Sequence, residues 1–419
     1  MQRFPRTKFP TNLCAMPQTL PQPTLPTQAR GTERFPSRVT KTSSGRVFGL
    51  DVLRAGAILS VLVAHDFNVL WPYLPWWVGF CGHGGYYGVE LFFVLSGFLI
   101  GTILIRTDAE LRQPSRVITF YLRRWFRTLP LFFLFVLLNL WLELSVRHHL
   151  PPWSEIWRHA LFLRNLTGLH MTFFGESWSL AIEEWFYLLF PIVLFVGLRL
   201  TRNFNRVLLA AALAFFLFSN IGRMVIASAS YATWTEWERK TVLLRFDGLM
   251  LGVFAAWIAL RYPKIWSNRV WIPTVLGLAL VAVIYTSLFT VSDQDLAWGP
   301  DTYFARTTRF TLVSLGFALL LPAASSWKLD RENFLSGLVR RIALWSYALY
   351  LVHIPIITVV QHYFTTAKSF GHGVALFVLA FGGSIAISAL LYRYFESRCT
   401  HLRDAVAPAV GRAIANRVG

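Results

Sequence analysis

The chain has 419 residues, 55% of them hydrophobic and 16% aromatic, and a formal net charge of +19. Soluble domains of this size are far more polar, so the composition excludes one and points to a membrane protein. The charge is no argument for nucleic acid as a partner, because much of it falls in loops between apolar runs.

Residues 1–47 are rich in Pro, Thr, Ser and Arg, and no apolar period runs through them. A disordered basic tail is expected there. No apolar segment separates its charges, which argues against a signal peptide. Cys14, Cys81 and Cys399 are too scattered for a disulfide framework or a zinc site, and no metal is expected.

Ten apolar runs then follow that are long enough to cross a bilayer. They lie at about 49–71, 87–105, 128–146, 178–198, 207–227, 243–260, 270–291, 310–326, 342–364 and 373–392. The expected fold is all-α, a polytopic membrane helix bundle of about ten transmembrane helices over residues 48–397, with a short cytoplasmic tail at 398–419. If the N-terminus is cytoplasmic, the inner loops hold sixteen Lys and Arg residues and the outer loops eight. That asymmetry places both termini in the cytoplasm. The basic inner face can also attract anionic membrane lipid or a phosphorylated cosubstrate.

The first run carries Asp51, Arg54 and His65. At about 100° per residue, Arg54 and His65, eleven residues apart, fall within roughly 20° of each other, and Asp51 lies near the same stripe. Ionisable groups inside a membrane helix are costly and mark a site facing the protein interior. The alternative is that Asp51 and Arg54 anchor a helix end at the headgroups. The second run reads Gly88-Val-Glu-Leu-Phe-Phe-Val-Leu-Ser-Gly-Phe-Leu-Ile100. It sets Glu90 near the outer end, and Ser96-Gly97 reads first as a helix–helix packing pair. There is no G-x-S-x-G nucleophile elbow in it.

The inner loop that follows holds Phe120-Tyr-Leu-Arg-Arg-Trp-Phe-Arg-Thr-Leu-Pro130. Arg123, Arg124 and Arg127 stand at helical spacing. Guanidinium forks bind phosphate bidentately, although the same cluster suits a plain membrane anchor. The fourth run opens with Glu176-Ser-Trp-Ser-Leu-Ala-Ile-Glu-Glu-Trp-Phe-Tyr187. Glu183 or Glu184 must face protein or water, either to orient a base or to pair with Arg223 or Arg245. The sixth run carries Arg245 and Asp247, and the ninth carries Ser346-Tyr-Ala-Leu-Tyr-Leu-Val-His353. Together these groups mark a polar path that a purely structural bundle does not need.

In this order the segments resemble acyltransferase family 3, the integral-membrane enzymes that O-acylate bacterial surface carbohydrates. Leu50-Asp-x-x-Arg54-Ala with His65 is similar to the family's Arg-x10-His signature. Gly88–Ile100, the arginines at 123, 124 and 127, Trp178-Ser-Leu-Ala-Ile-Glu183, Arg245-Phe-Asp247 and Tyr347–His353 resemble its further segments, over about residues 48–397. One departure is Tyr394-Phe-Glu396 followed by Ser397 and Arg398, where the family usually has Glu-x-Pro.

The resemblance implies a transferase of the bacterial inner membrane. Its acyl donor is cytoplasmic acyl-coenzyme A, usually acetyl-coenzyme A, and its acceptor is a carbohydrate or glycolipid hydroxyl at the outer face. The donor is a cosubstrate, and no bound cofactor is implied. Arg123, Arg124 and Arg127 would hold the donor's phosphates. His65 would be the general base, with an acyl-histidine intermediate as the alternative chemistry; Arg54 would orient the donor or stabilise the oxyanion, and Glu183 would orient or tune a neighbouring base, with Asp51 beside them. About 27 residues follow the last run, so no further domain is expected within this chain. The rival reading is a proton-coupled transporter using the intramembrane Arg, Glu and His groups, but no inverted repeat accompanies it.

Overall fold

A computed structural model of the chain describes residues 46–67, 70, 73–74, 84–108, 110–166, 173–229, 234–287, 302–329, 331–364 and 368–418. The tail expected to be disordered, save Arg46 and Val47, lies outside the described residues, as do Cys14, Cys81 and His83. Every regular element among the described residues is helical. In chain order these are α1 (Phe48–Asp66), α2 (Gly84–Arg106), α3 (Pro114–Val146), the short α4 (Trp153–Ala160), α5 (Ser177–Leu200) and α6 (Phe204–Ala227). A π-helical turn (Trp234–Arg239) and a 3-10 turn (Val242–Leu244) lead to α7 (Asp247–Arg261), α8 (Pro263–Ser267), α9 (Trp271–Ser287), α10 (Tyr303–Ser326) and α11 (Phe334–Phe364). Last come α12 (Phe370–Leu391), a π-helical turn (Tyr392–Glu396) and α13 (Ser397–Val418).

Each expected apolar run overlaps a helix among the described residues. Eight helices among the described residues are long and apolar enough to cross a membrane, and α9 is apolar but shorter. Helix α7 has 15 residues. At ~1.5 Å per residue that is about 22 Å, less than the ~30 Å of a hydrocarbon core.

Two boundaries differ from expectation. The arginine-rich stretch expected as a loop is the first half of the 33-residue α3. Hydropathy falls at those arginines, but nothing in the backbone stops the helix: Pro114 starts it from the first turn and Pro130 is accommodated inside it. The tail expected at 398–419 is helical to Val418 and packs along α3.

Helix α2 is apolar on all sides and buried among α1, α5, α7 and α10. Small residues permit this. A Cβ on Gly97 would overlap the Leu249 carbonyl of α7, and one on Gly252 would overlap the Val94 carbonyl of α2. Helix α3 is different, exposing Phe133, Leu137, Trp141 and Leu144 along one face, the surface expected of a helix against lipid.

Candidate active site

Five helices border a chamber of about 110 Å³. Arg54 enters it from α1 and Ser96 from α2. Helix α3 adds Arg124, Arg127 and Thr128, α5 adds Ser179, Glu183, Glu184 and Tyr187, and α11 adds Ser346, Tyr347 and Tyr350. Three guanidinium groups thus share one space with two carboxyl groups. Glu183 and Glu184 point about 100° apart on α5, yet both border the chamber, which wraps around that helix.

The polar groups are ordered by one another. The Tyr187 hydroxyl donates to Glu183 Oε2 at 2.7 Å. A phenol has one proton to give, so the Ser96 hydroxyl bonded to it is the donor in that contact. Ser96 is therefore part of the site, whereas its neighbour Gly97 serves packing. The Arg124 guanidinium lies 5.4 Å from the Tyr187 ring centroid, a favourable cation–π distance. Tyr347 donates to the Thr128 carbonyl at 2.7 Å, and Tyr350 shares a 2.6 Å hydrogen bond with Ser179.

Beside the chamber lies a larger cleft of about 690 Å³. It is bordered by the end of α2, the first half of α3 and α13, and its arginines include Arg116, Arg123, Arg124 and Arg127. Arg124 and Arg127 border both spaces. Of the three arginines singled out from the sequence, Arg123 faces the cleft alone and the other two stand where cleft and chamber adjoin.

His65 does not border the chamber. Its ring lies 5.0 Å from that of His353, centroid to centroid, and the His353 ring lies 5.6 Å from that of Tyr350. His353 thus stands between the chamber's Tyr350 and His65. His65 Nδ1 sits 2.9 Å from the Val61 carbonyl oxygen. A carbonyl only accepts, so Nδ1 carries the hydrogen and the Nε2 lone pair is left to take a proton. His353 is fully buried.

Asp51 also stays outside the chamber, accepting from Arg46 at 2.6 Å near the start of α1. Glu90, Arg245 and Asp247 belong to a separate buried network. Arg245 is ion-paired with Glu90, whose other oxygen accepts from Ser314 at 3.1 Å. Arg223 donates to Asp247 at 2.8 Å and to the carbonyls of Leu244 and Thr307. The ion pair considered between Glu183 or Glu184 and these arginines does not form, because Glu90 and Asp247 occupy them.

The sequence reading missed Ser179, Tyr187 and Tyr350 as site residues. Two signals were there. Tyr187 follows Glu183 by one helical turn, and Ser346, Tyr350 and His353 fall on one stripe of α11 at i, i+4 and i+7.

Comparison with known proteins bears on this geometry. The O-acetyltransferase OatA of Staphylococcus aureus (strain NCTC 8325 / PS 47) is 27% identical over 382 residues, covering 86% of this chain and 58% of the relative. The peptidoglycan O-acetyltransferase OatA of Listeria monocytogenes is 26% identical over 391 residues, covering 86% and 57%. A putative O-acetyltransferase of S. aureus (strain COL) is 24% identical over 374 residues, covering 83% and 56%. The chain therefore spans less than three fifths of the length of these relatives. No solved structure matches it significantly. The family model described as an acyltransferase domain matches residues 47–393, which takes in every helix bordering the chamber, and the chain belongs to acyltransferase family 3.

Proposed function

We propose that the protein is a membrane-embedded O-acyltransferase. It moves an acyl group, taken to be acetyl, from cytoplasmic acyl-coenzyme A to a hydroxyl of a carbohydrate or glycolipid at the outer face of the bacterial inner membrane. The observation that carries this reading is the meeting of a basic cleft and a polar chamber at Arg124 and Arg127. A phosphorylated nucleotide suits the cleft, where Arg123, Arg124 and Arg127 offer paired donors. Its slender thioester arm suits the chamber, along which Arg54 orients it.

In the transfer step the acceptor oxygen attacks the thioester carbonyl. A C–O bond forms, the C–S bond breaks, and coenzyme A leaves as its thiolate. His65, which stands behind His353 as seen from the chamber's Tyr350, is the base: an acceptor reaching its Nε2 from the outer side gives up its proton there, and that proton then passes to the departing thiolate to complete the free thiol. Arg54 can serve the oxyanion only if it reaches the carbonyl, and its eleven-residue separation from His65, about 16 Å along α1, favours the orienting role. Glu183, held by Tyr187, tunes the chamber's charge. The placement of α13 beside the first half of α3 supports a cytoplasmic C-terminus, since both segments carry arginines to one cleft. The name of the Listeria relative makes a peptidoglycan sugar the first acceptor to try, ahead of lipopolysaccharide.

The test is transfer of labelled acetyl from acetyl-coenzyme A by purified protein, together with mass spectrometry of surface glycans from cells with and without it. Label on an acceptor and a mass gain of one acyl group are expected. If purified protein moves no label to any surface glycan offered, the reading is wrong.

A further inference from the structure

The cleft has a wall that the sequence marked as a mere tail. Arg403, Pro408, Gly411 and Arg412 of α13 border it opposite Arg116 and Arg123 of α3. We propose that α13 is half of the nucleotide-binding site, and that Arg403 and Arg412 clamp the donor's phosphates against the arginines of α3. This rests on the donor reading above and extends it to a helix to which nothing else assigns a role.

Three observations carry it. The first is charge. Six arginines and one acid, Glu110, border the cleft among the described residues. Glu110 is turned to Arg116, 3.3 Å away at an exposed position, where such a pair is weak. Arg403 likewise pairs with its neighbour Asp404 at 2.9 Å in a partly exposed contact, which a phosphate can displace. A single thiol ester does not need so much positive charge, whereas a donor with several phosphate groups does.

The second is construction. Gly411 is buried, and a Cβ on it would overlap the Thr119 hydroxyl of α3. The two helices are brought to backbone approach at this point, which sets Arg412 at the cleft's edge. The third is continuity. Helix α13 follows α12 through the π-helical turn Tyr392–Glu396. An inserted residue re-aims a helix, and here the redirected helix lies along α3.

The experiment uses the full chain in detergent. Binding of adenosine 3′,5′-bisphosphate, a nucleotide without thioester or pantetheine, is measured by calorimetry, and KM for acetyl-coenzyme A by label transfer. In the Arg403→Gln/Arg412→Gln variant, nucleotide binding is expected to weaken about tenfold or more, with a matching rise in KM and little change in kcat. Arg403→Lys/Arg412→Lys should recover part of the loss. Gly411→Leu, which removes no charge, should weaken binding by pushing α13 away. Lys264→Gln, a charge change on α8 outside the cleft, should leave both values as they are. If wild type binds the nucleotide and moves label but the double glutamine variant matches it, the role of α13 is refuted and the donor reading stands. If wild type neither binds nor transfers, both fall together.

Discussion

Arg124 and Arg127 face two spaces at once, the basic cleft and the polar chamber. They stand nearly one turn apart on α3 and so lie along one stripe of it. Any donor reaching from one space into the other must pass them. Arg124→Gln and Arg127→Gln are each expected to raise KM for acetyl-coenzyme A about tenfold or more, since hydrogen bonds to charged groups contribute about 1.5–3 kcal/mol. Saturation curves with labelled donor provide the check, and unchanged KM in both variants would remove them from donor binding.

His65 offers a lone pair at Nε2 because Nδ1 is engaged by the Val61 carbonyl. His65→Ala should abolish transfer while expression and membrane insertion stay normal. Turnover that survives in this variant takes His65 out of the mechanism. His353→Phe is expected to lower kcat, because the ring that separates His65 from Tyr350 loses its polar edge.

Tyr187 holds Glu183 and is itself held by Ser96. Tyr187→Phe leaves the half-buried Glu183 carboxyl short of a donor, at a cost of about 1–3 kcal/mol. A fall in kcat of about ten- to a hundredfold is expected, with Ser96→Ala milder. Equal turnover in wild type and Tyr187→Phe would show that the orientation of Glu183 does not matter.

The Glu90–Arg245 and Arg223–Asp247 pairs are fully buried. Removing one partner from such a pair leaves an unpaired charge and costs about 3–5 kcal/mol. Glu90→Ala and Asp247→Ala should therefore lower the thermal midpoint in detergent sharply. Glu90→Met/Arg245→Met should recover much of the loss, because no lone charge remains. A double variant as unstable as Glu90→Ala would mean that the pair contributes more than mutual neutralisation.

Outside the spanning helices, His159 of α4 is buried, with Glu155 Oε1 at 3.8 Å from Nε2. Burial pushes its pKa down from 6.5 to about 4, outweighing the nearby carboxylate. The folded protein thus binds this proton less readily than the unfolded chain. The stability it carries is complete above about pH 6.5 and is lost as pH falls towards 4. Thermal midpoints measured from pH 7 to 4 should drop, and His159→Gln should flatten that slope. An identical slope in the variant would assign the acid sensitivity elsewhere.

Much of the helical order was legible because spans in lipid are long, apolar and locally encoded. Residues 128–146 could be read as a span, but the 14 helical residues before them could not. Hydropathy reports burial in lipid, and those polar residues form helix packed against α13. The site was legible in part for a similar reason. Arg54 and Glu183 stood out as charges where charges are costly, and Arg124 and Arg127 as a cluster at helical spacing next to a span. Ser179 and Tyr350 did not, because hydroxyls are cheap in a membrane helix, and their meeting depends on how α5 and α11 cross. Arg403 and Arg412 lay in a stretch too polar to read as part of a bundle. Spacing alone aligns Asp51 with Arg54, but the carboxylate pairs with Arg46, outside the helical stripe.

The buried ion pairs also constrain how the chain enters the bilayer during synthesis. Arg223 lies on α6 and Asp247 opens α7, close in sequence and bonded in the fold. Either charge alone costs about 2.5–3.5 kcal/mol near the centre of a lipid core. The two helices therefore partition most readily as one hairpin, neutralised as they leave the aqueous side. Glu90 on α2 is made well over a hundred residues before its partner Arg245. Until α7 arrives, α2 has to shelter that carboxyl by keeping its proton or by staying near the headgroups, so its final depth is settled late in assembly.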